Sequence, residues 1–484
     1  MSGDDPVAVV RDFLALTGPR RDDLRGAKWP RGRPGGSVRE PAASRDAAPR
    51  PPIAPALLLR RDPLPAGLPS QAARALFSAM PAGARLSLAL RYAIAPLRRE
   101  AGQPGVGHRA VASAAALFPV DVFVIAPDGS LPTTYRCCAD AAALLCDDRV
   151  RLRVPPADPG ALTLVLVARL ARCIEPYGDL APCLALIEAG MVEAQLSLML
   201  GLAGWPAELR QVTASGVVDT DLHWSDLPVS VMTVAGAGTA LATLDRGATP
   251  VGCEPDHASA EPFDRVRRLL AAIAAPVVAA MPPARATRAT HSTRWLAPRC
   301  LARAAERRSS GSAGGHAQRR GVGAAAVEAM LRDVATLAAM LPSGGASRPV
   351  TTVAARSGDD DAVRSFAFEP GDAVAFRPVH RIPGDAEPIL PDGAVLLVTL
   401  GYDHVAALAA EGAGAYATAH RSVGRVAQCF CLAAAAHGLV ARPLRSFVPA
   451  AADARMPLAA DAVLQIVVGV DVAPTLSVVA EPAR

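Results

Sequence analysis

The hydrophobic pattern of residues 422–447 predicts a long buried helix that ends close to two arginines. Apolar residues recur there at the three- and four-residue spacing of a helix, and most other positions are Ala, Cys or Leu, so we expect burial on nearly every side. Gly438 suits the left-handed residue that ends a helix, and Pro443 prevents the helix from resuming. Arg442 and Arg445 lie in the same segment. Two guanidinium groups held beside a buried helix indicate a site for an anion.

A second version of this helical pattern lies upstream, at residues 187–211. Gly190 and Gly204 are 14 positions apart, as are Gly424 and Gly438, and the offset between the two pairs is 234. Because one glycine lies within each helical pattern and the other follows it, both helices are expected to begin, pack and end in the same way.

Two further landmarks repeat at nearly the same offset. The segment ASAAALFP at 112–119 corresponds to PSGGASRP at 342–349, with an offset of 230. The segment VSVMTVAG at 229–236 corresponds to LQIVVG at 464–469, and the glycines that end the two segments are offset by 233. Three separate landmarks at nearly one offset predict a duplicated domain, and the period is far too long for a solenoid repeat.

Short apolar runs between the helical patterns predict several strands in each half of the chain. The predicted strands are 120–125, 162–167, 228–234, 395–400 and 464–470, and the predicted helices include 184–203 and 324–341. Helices that alternate with a handful of strands favour an α+β fold that occurs twice.

Composition shifts divide the chain into four parts. Residues 1–55 are predicted to be a mobile N-terminal segment, because 19–55 are rich in Arg, Pro, Gly and Ser. One short helix is expected within it, at 7–16. The first domain is expected at 56–280, a linker at 281–305 and the second domain at 306–484. We call the two domains copy one and copy two.

The overall composition is that of a globular protein and excludes several classes of function. Hydrophobic residues make up 51% and charged residues 20% of the chain. The net charge of +5 is modest and is spread without interleaved aromatic residues, so nucleic-acid binding is not indicated. No apolar run reaches the roughly 20 residues that span a bilayer, and no signal-peptide pattern follows Asp4 and Asp5. We therefore expect a cytoplasmic protein that binds no membrane.

Two residue types limit the chemistry of the chain. The nine cysteines include no C-x-x-C pair with a matching pair of ligands, so neither a metal site nor a disulfide framework is predicted. Lys28 is the only lysine. A mechanism that needs a lysine in either core is therefore nearly excluded.

Several motifs together resemble the nitroreductase fold in its peptide-azoline dehydrogenase branch. Copy one has an arginine, a serine and small residues before a strand, in the run 108–119. It then has the Tyr177-Gly178 segment and a long helix that contains Gly190. Copy two has an entry motif at 307–309, which reads Arg-Arg-Ser. The resemblance covers about 60–245 and 300–475.

This resemblance implies a pair of α+β domains with FMN bound where they meet. In the family, Arg-Arg-Ser of one subunit and basic residues after its last long helix hold the phosphate, and the partner lends a serine loop to the flavin ring. A tandem chain could form this arrangement within itself, as an intrachain pseudo-dimer, with a homodimer as a further option. Site one would comprise Arg307, Arg308, Ser309, Arg442 and Arg445 from copy two, with Arg109 and Ser113 from copy one.

A second, pseudo-equivalent site is less well suited to a phosphate. It would comprise Arg60, Arg61, Asp62, Arg210 and Ser343. Asp62 occupies the place of the family's serine, and its carboxylate would repel a phosphate. We therefore expect one FMN, bound at site one.

The same resemblance suggests a catalytic residue and a reaction. Azoline-oxidising members have a Lys-Tyr pair where this chain has Pro176-Tyr177, so Tyr177 is the candidate catalytic residue. With an ordinary pKa near 10 it is a poor base unless Glu175 or an arginine assists it. The implied activity is oxidation of a thiazoline or oxazoline to a thiazole or oxazole in a ribosomally made peptide. The implied partners are a leader-bearing precursor peptide and a cyclodehydratase.

Other interpretations of these residues remain open. The chain could be a general NAD(P)H-dependent FMN reductase of nitro compounds or quinones, or a degenerate tandem that only docks peptide. Arg307 and Arg308 could be a solvated pair in a linker, and Arg442 could bind the free carbonyl groups of a helix end. Ser113 could be a turn residue, and Tyr177 a half-buried aromatic residue.

Overall fold

A computed structural model of the chain describes most of both copies. The described residues are 5–17, 56–58, 79–100, 103–126, 132–139, 142–147, 150–152, 160–211, 218–220, 223, 225–241, 243–247, 264–274, 298–308, 322–341, 349–356, 363–369, 375–378, 394–445, 461–470 and 477–479.

These residues form ten helices and nineteen strands within the described part of the chain. The helices are α1 (Pro6–Thr17), α2 (Ala82–Ile94), α3 (Ala171–Tyr177), α4 (Ala181–Leu202), α5 (Gly238–Leu241), α6 (Asp264–Ile273), α7 (Pro298–Arg307), α8 (Ala324–Ala339), α9 (His404–Glu411) and α10 (Ala415–Ala436). The strands before residue 200 are β1 (Ala56–Leu58), β2 (Arg98–Glu100), β3 (Gln103–His108), β4 (Val120–Ala126), β5 (Thr133–Cys138), β6 (Ala143–Cys146), β7 (Val150–Leu152) and β8 (Leu162–Arg169). The later strands are β9 (Ala207–Gln211), β10 (Val218–Thr220), β11 (Asp226–Val234), β12 (Asp245–Gly247), β13 (Val350–Arg356), β14 (Val363–Glu369), β15 (Ala375–Pro378), β16 (Ala394–Tyr402), β17 (Val440–Leu444), β18 (Asp461–Gly469) and β19 (Ser477–Val479).

Each copy is built on one antiparallel sheet, and the two sheets share five strands in the same order. The first sheet runs β12-β1-β6-β5-β4-β8-β11-β9, and the second runs β15-β14-β13-β16-β18-β17. The order β5-β4-β8-β11-β9 in copy one therefore corresponds to β14-β13-β16-β18-β17 in copy two. The α+β prediction is confirmed, and the shared strand order agrees with the predicted duplication.

The central strands form where the sequence is most uniformly apolar. Every residue of β4, β8 and β16 is buried, because these strands have neighbours on both edges and are covered by packed residues on both faces. Val and Leu dominate them, and branched side chains suit a pleated surface that is packed on each side. The strands predicted from these runs are present with small changes at their ends.

The two long helices α4 and α10 join the copies by direct backbone contact. A Cβ atom added to Gly190 would lie 2.0 Å from the carbonyl oxygen of Arg421, and one added to Gly424 would lie 1.9 Å from that of Ile187. Only glycine permits so close an approach. The repeated glycines of the sequence thus mark the crossing of the two helices.

The end of α10 differs in one respect from the prediction. Gly438 has a positive φ of 74°, and the Leu439 N–H donates to the Ala434 carbonyl oxygen at 2.9 Å, which closes the helix as expected. Arg442, for which no strand was predicted, lies on strand β17. Pro443 is tolerated there because β17 is at the edge of its sheet.

Two helices lie in segments that composition marks as irregular. Helix α1 agrees with the short helix predicted at 7–16. It buries Val10 and Phe13, and the Phe13 ring packs edge-on against Tyr416 of copy two. Helix α7 begins inside the predicted linker and buries Leu301 and Ala305. Residues 1–4 and 18–55 of the predicted mobile segment lie outside the described residues.

One helical stretch, Ala171–Leu202, is long and apolar enough by composition to cross a bilayer, but 94% of its most apolar window is buried inside the fold. Helix α4 contributes most of that stretch and packs against α10 and α2. Its apolar surface is therefore explained by the contact between the copies.

Candidate functional site

The loop before β4 has an unusual backbone. Ala115, Ala116 and Phe118 have positive φ values of 49°, 57° and 45°, although each carries a Cβ atom that disfavours this conformation. Ala115 and Ala116 are exposed. The Ser113 hydroxyl oxygen accepts a hydrogen bond from the Phe118 N–H at 2.8 Å, which fixes the loop. Strained residues that cluster in this way often mark a functional site.

Arg308 of copy two reaches the same loop of copy one. Its side chain is 5% exposed, and Nε and Nη2 donate to the Arg109 carbonyl oxygen at 3.2 and 2.8 Å. In return, Nη2 of Arg98 donates to the Arg308 carbonyl oxygen at 2.7 Å. Burial lowers the pKa of Arg308 to about 10, so the group remains a cation at neutral pH. The solvated-pair alternative therefore fails for Arg308.

Two more arginines converge on this loop. The Arg109 guanidinium carbon lies 3.8 Å from the centroid of the Phe118 ring, in the stacked position that favours a cation over an aromatic face. Arg172, on α3, donates from Nη1 to the Phe118 carbonyl oxygen at 2.8 Å and to Asp121 Oδ1 at 2.9 Å. The loop is therefore surrounded by guanidinium groups from both copies.

A carboxyl group that we did not predict faces these arginines. Glu188, on α4, is 5% exposed and lies close enough to the Ser113 hydroxyl group for that group to influence its pKa. Burial raises this pKa to about 8, although Ser113, Arg109, Arg172 and Arg308 act in the opposite direction. The sequence signal was an acid, one of two with Glu193, within an apolar helix. We call Arg109, Ser113, Arg172, Glu188 and Arg308 the arginine cluster.

Tyr177 lies at the C-terminal end of α3 and is half-buried. Burial raises the pKa of its phenol, and the nearby Cys173 thiol raises it further. Cys173 is in turn influenced by Glu188 and Arg172, so Tyr177 borders the arginine cluster. A phenol with a raised pKa stays neutral and suits hydrogen-bond donation better than proton abstraction.

The remaining predicted residues of site one do not all gather at the arginine cluster. Arg307 is exposed, in agreement with the solvated alternative for that residue, and Ser309 lies outside the described residues. Arg442 is half-buried on β17. Arg445 lies close enough to Tyr402, Tyr416 and His420 to affect the pKa of each. Of site two, residues 60–62 and 343 and the side chain of residue 210 lie outside what the structure describes.

Arg445 thus borders a second polar group, in copy two. The Tyr402 hydroxyl oxygen is 3.1 Å from His420 Nδ1, which is also 2.7 Å from the Tyr416 carbonyl oxygen. Burial lowers the pKa of His420 to about 4, so the imidazole is neutral. His404 Nδ1 lies 2.5 Å from Asp461 Oδ2 at the surface. The rings of Tyr402, Tyr416 and His420 are neutral because burial raises the pKa of both phenols and lowers that of the imidazole.

Buried charges also stabilise the helix crossing beside the cluster. Glu193 on α4 accepts from Arg421 at 2.8 Å and from Arg425 at 3.2 Å, and its side chain is fully buried. Gln428 on α10 donates from Nε2 to Gln195 Oε1 at 2.8 Å and to the Ala110 carbonyl oxygen at 3.1 Å. Two sets of polar contacts therefore join α4 to α10, and the second also reaches the backbone of Ala110.

The backbone as a whole matches a solved structure over nearly its full length. A candidate nitroreductase from Anabaena variabilis aligns with 96% of this chain and 99% of its own, with a TM-score of 0.61 and 14% sequence identity. This chain has a nitroreductase-like fold. A second candidate nitroreductase, from Ralstonia eutropha, aligns with 38% of this chain and 89% of its own at 20% identity, with a TM-score of only 0.28. No protein-family model matches the sequence, and no curated protein matches it.

The arginine cluster fits the phosphate of an FMN molecule by the chemistry of its donors. Guanidinium groups match phosphate oxygens in geometry and charge, and here they come from both copies, as the resemblance implies for FMN. Ala115 and Ala116, in the loop beside the cluster, are small and exposed. Within the described residues, no group of three or more His, Cys, Asp or Glu side chains could hold a metal ion.

Proposed function

We propose that this chain is an FMN-dependent dehydrogenase that oxidises thiazoline or oxazoline rings to thiazole or oxazole in a ribosomally made peptide. The observation that carries the proposal is the arginine cluster, because a buried guanidinium of copy two meets the serine loop of copy one there. The nitroreductase-like fold and the order of the motifs in both copies support it. The proposed partners are a leader-bearing precursor peptide and a cyclodehydratase, all in the cytoplasm.

Different residues of the cluster would bind the phosphate and contact the flavin ring. Arg308 and Arg109 would hold the phosphate, and the loop that begins at Ser113 would lie beside the ring. When bound, FMN would supply the two-electron acceptor for a reaction in which the substrate loses a hydride from one ring carbon and a proton from its neighbour as a C=C bond forms, with dioxygen as the final oxidant.

Tyr177 fits the role of a neutral donor that orients the substrate. Its raised pKa disfavours the phenolate that proton abstraction would need. Glu175, two positions before Tyr177 on the same helix, is exposed and could assist. Substitution of Tyr177 by Phe should therefore weaken substrate oxidation while FMN stays bound.

Two measurements test the proposal. The visible spectrum of the purified protein, before and after incubation with FMN, should show bound flavin. Mass spectrometry of a heterocyclised precursor peptide should then show the loss of two hydrogen atoms per ring only when this protein is present. A colourless protein that cannot be reconstituted with FMN would overturn the proposal and leave a peptide-docking scaffold as the better explanation.

A second candidate function is reduction of nitro compounds or quinones with NAD(P)H. It is favoured by the absence of the lysine that precedes the tyrosine in azoline-oxidising members, since Pro176 stands there. Rapid mixing of the FMN-loaded protein with NADH or NADPH distinguishes the two functions. Fast bleaching of the flavin, with no change in the mass of the peptide, would favour the reductase.

A further inference from the structure

Glu188 is a buried acid that the proposed reaction does not use. Helix α4 carries one other buried acid, Glu193, whose two oxygens accept from Arg421 and Arg425 at 2.8 and 3.2 Å. The guanidinium groups around Glu188 are already engaged elsewhere, since Arg308 donates to the Arg109 backbone and Arg172 donates to Asp121. Glu188 is thus placed among cations without the direct ion pairs that Glu193 has in the described structure.

We propose that anion binding at the arginine cluster is coupled to protonation of Glu188, so that a phosphate-bearing ligand binds tightly only when this carboxyl is neutral. The inference rests on the proposed function, because FMN is the phosphate-bearing ligand expected at the cluster. Above about pH 8, where the carboxyl of the ligand-free protein is mostly ionised, it partly neutralises Arg109, Arg172 and Arg308. A bound phosphate takes over that role, and the carboxyl takes up a proton.

The electrostatic argument depends on burial. Two negative groups near one another in a site shielded from water repel strongly, and the weaker acid responds by taking up a proton. A neutral carboxyl group leaves the guanidinium groups to the phosphate and can itself donate a hydrogen bond. Arginine does not release its proton in proteins, so the cations of the cluster cannot relieve the repulsion.

Glu188 is also the group in this region whose titration falls near neutral pH. Its pKa is about 8. Asp121, which binds Arg169 and Arg172, has a lowered pKa and stays ionised. The raised pKa values of Cys173 and Tyr177 keep both groups neutral. A change in ligand affinity between pH 7 and 9 would therefore report on Glu188.

The Ser113 hydroxyl group links the loop before β4 to the titration of Glu188. The Ser113 oxygen accepts from the Phe118 N–H, so its own proton is available to the Glu188 carboxylate. This bond lowers the pKa of Glu188. The substitution Ser113→Ala should therefore move the pH at which affinity changes to a higher value.

Calorimetric titration with FMN tests the coupling. At pH 8.5, in two buffers of different ionisation enthalpy, the wild-type chain should take up as much as one proton per FMN bound, and fewer at pH 6.5. Above the pKa its affinity should fall by up to about tenfold per pH unit. The variant Glu188→Gln should lose this proton uptake and this fall in affinity. Glu175→Gln, which alters an exposed acid, is the matched control and should behave as the wild type.

The outcomes separate this inference from the proposed function. If FMN binds with the same pH dependence in wild type and Glu188→Gln, the coupling is wrong and the proposed function stands. If FMN does not bind, the proposed function fails, and thermal shifts with inorganic phosphate at pH 6.5 and 8.5 decide the coupling. A thermal shift that becomes smaller with rising pH only in the wild type supports the coupling, and equal shifts or none overturn it.

If Glu188→Gln does not fold, Ser113→Ala takes its place in the test. This variant must raise the pH midpoint of the change in affinity, and an unchanged midpoint overturns the coupling.

Discussion

The same corner of the sheet carries an arginine–aspartate pair in copy one and a tyrosine beside a histidine–aspartate pair in copy two. Strand β8 ends at Arg169, which is paired in register with Asp226 of β11 and bonded to it at 2.7 Å. Strand β16 ends at Tyr402, which is paired in register with Asp461 of β18. There the aspartate binds His404 instead. The duplicated backbone is retained, and the chemistry of the corner is not.

The helices that follow these strands also carry charged residues in copy one where copy two has uncharged ones. Counted from the strand ends, Arg172 of the arginine cluster corresponds to Val405, which is 79% exposed. Glu188 corresponds to Ser422 at the offset of 234 that relates Gly190 to Gly424. Copy one therefore places an acid and a base beside the loop, where copy two has a hydroxyl group and an apolar side chain. This difference favours a single anion site in the tandem.

Replacing Glu193 by Ala, the residue at the corresponding position 427 of copy two, should have the largest effect. The change leaves Arg421 and Arg425 buried without their carboxylate, and loss of one partner of a buried ion pair costs about 3–5 kcal/mol of unfolding free energy. Chemical denaturation measures the change. Glu328→Ala is the control, because its pair with Arg332 is exposed and should contribute roughly 0.5 kcal/mol or less. Equal losses in the two variants would contradict the prediction.

The substitution Gly424→Ala tests the symmetric part of the structure. The new methyl group would meet the Ile187 carbonyl oxygen at 1.9 Å, and overpacking of this kind costs on the order of 3 kcal/mol. Gly201→Ala on α4 is the control, since no atom lies within 4 Å of its added Cβ. That variant should be unchanged or more stable by at most about 1 kcal/mol. The melting temperatures of the two variants should therefore move apart.

Arg308→Ala removes the guanidinium that joins copy two to the loop of copy one. Loss of its charged hydrogen bonds should lower stability by roughly 2 kcal/mol. It should also weaken FMN retention, measured by absorbance after gel filtration. Arg307→Ala changes the exposed neighbour and should retain both properties. Flavin retention that is unchanged in Arg308→Ala would show that the phosphate is held elsewhere, with Arg442 and Arg445 as the next residues to test.

Ala115→Gly should have the smallest effect and the opposite sign. Copy two has Gly345 at this position, and a glycine relieves the strain of a φ of 49°. Relief of about 1–2 kcal/mol, reduced by the entropy that glycine loses on folding, leaves a gain of roughly 0.5–1 kcal/mol. The neighbouring Ala114→Gly has no such strain to relieve and should lower the melting temperature slightly. A fall in both variants would mean that the strain at Ala115 is already compensated.

We expect the stability of the fold to depend on pH through the titration of Glu188. Its folded-state pKa of about 8 lies above the ordinary value of 4.5, so the folded chain binds the proton more tightly than the unfolded chain. This contribution to stability is complete below about pH 4 and is lost as the pH rises toward 8. Melting temperatures of wild type and Glu188→Gln should therefore separate across that range.

Much of the fold could be predicted because the signals were local. The buried strands β4, β8 and β16 are continuous apolar runs, and the helix ends coincide with glycines such as Gly438. The start of helix α7 was assigned to a linker because of the composition of its segment. Its apolar face is buried by packing against α10, a contact that composition alone does not predict. Strand ends moved by only a few residues, since pairing partners extend a strand beyond its apolar centre.

The site was only partly predictable, because long-range geometry decides it. Arg109, Ser113 and Arg308 do converge, as family order suggested. Arg445 instead borders the His420 group, because β17 runs back along the sheet edge after the helix ends. Glu188 gave only a weak signal, since an acid in an apolar helix can equally be an exposed residue. Its neighbours come from three other parts of the chain.

The glycine crossing of α4 and α10 also bears on how such a protein can change over time. In a symmetric homodimer every residue near the axis occurs twice, so an acid placed on one helix also appears on its partner. Covalent fusion removes that constraint. This chain keeps glycine on both sides of the axis, yet it places the acid Glu193 on one helix and the bases Arg421 and Arg425 on the other. One half can thus specialise while the other compensates, which two identical chains cannot do.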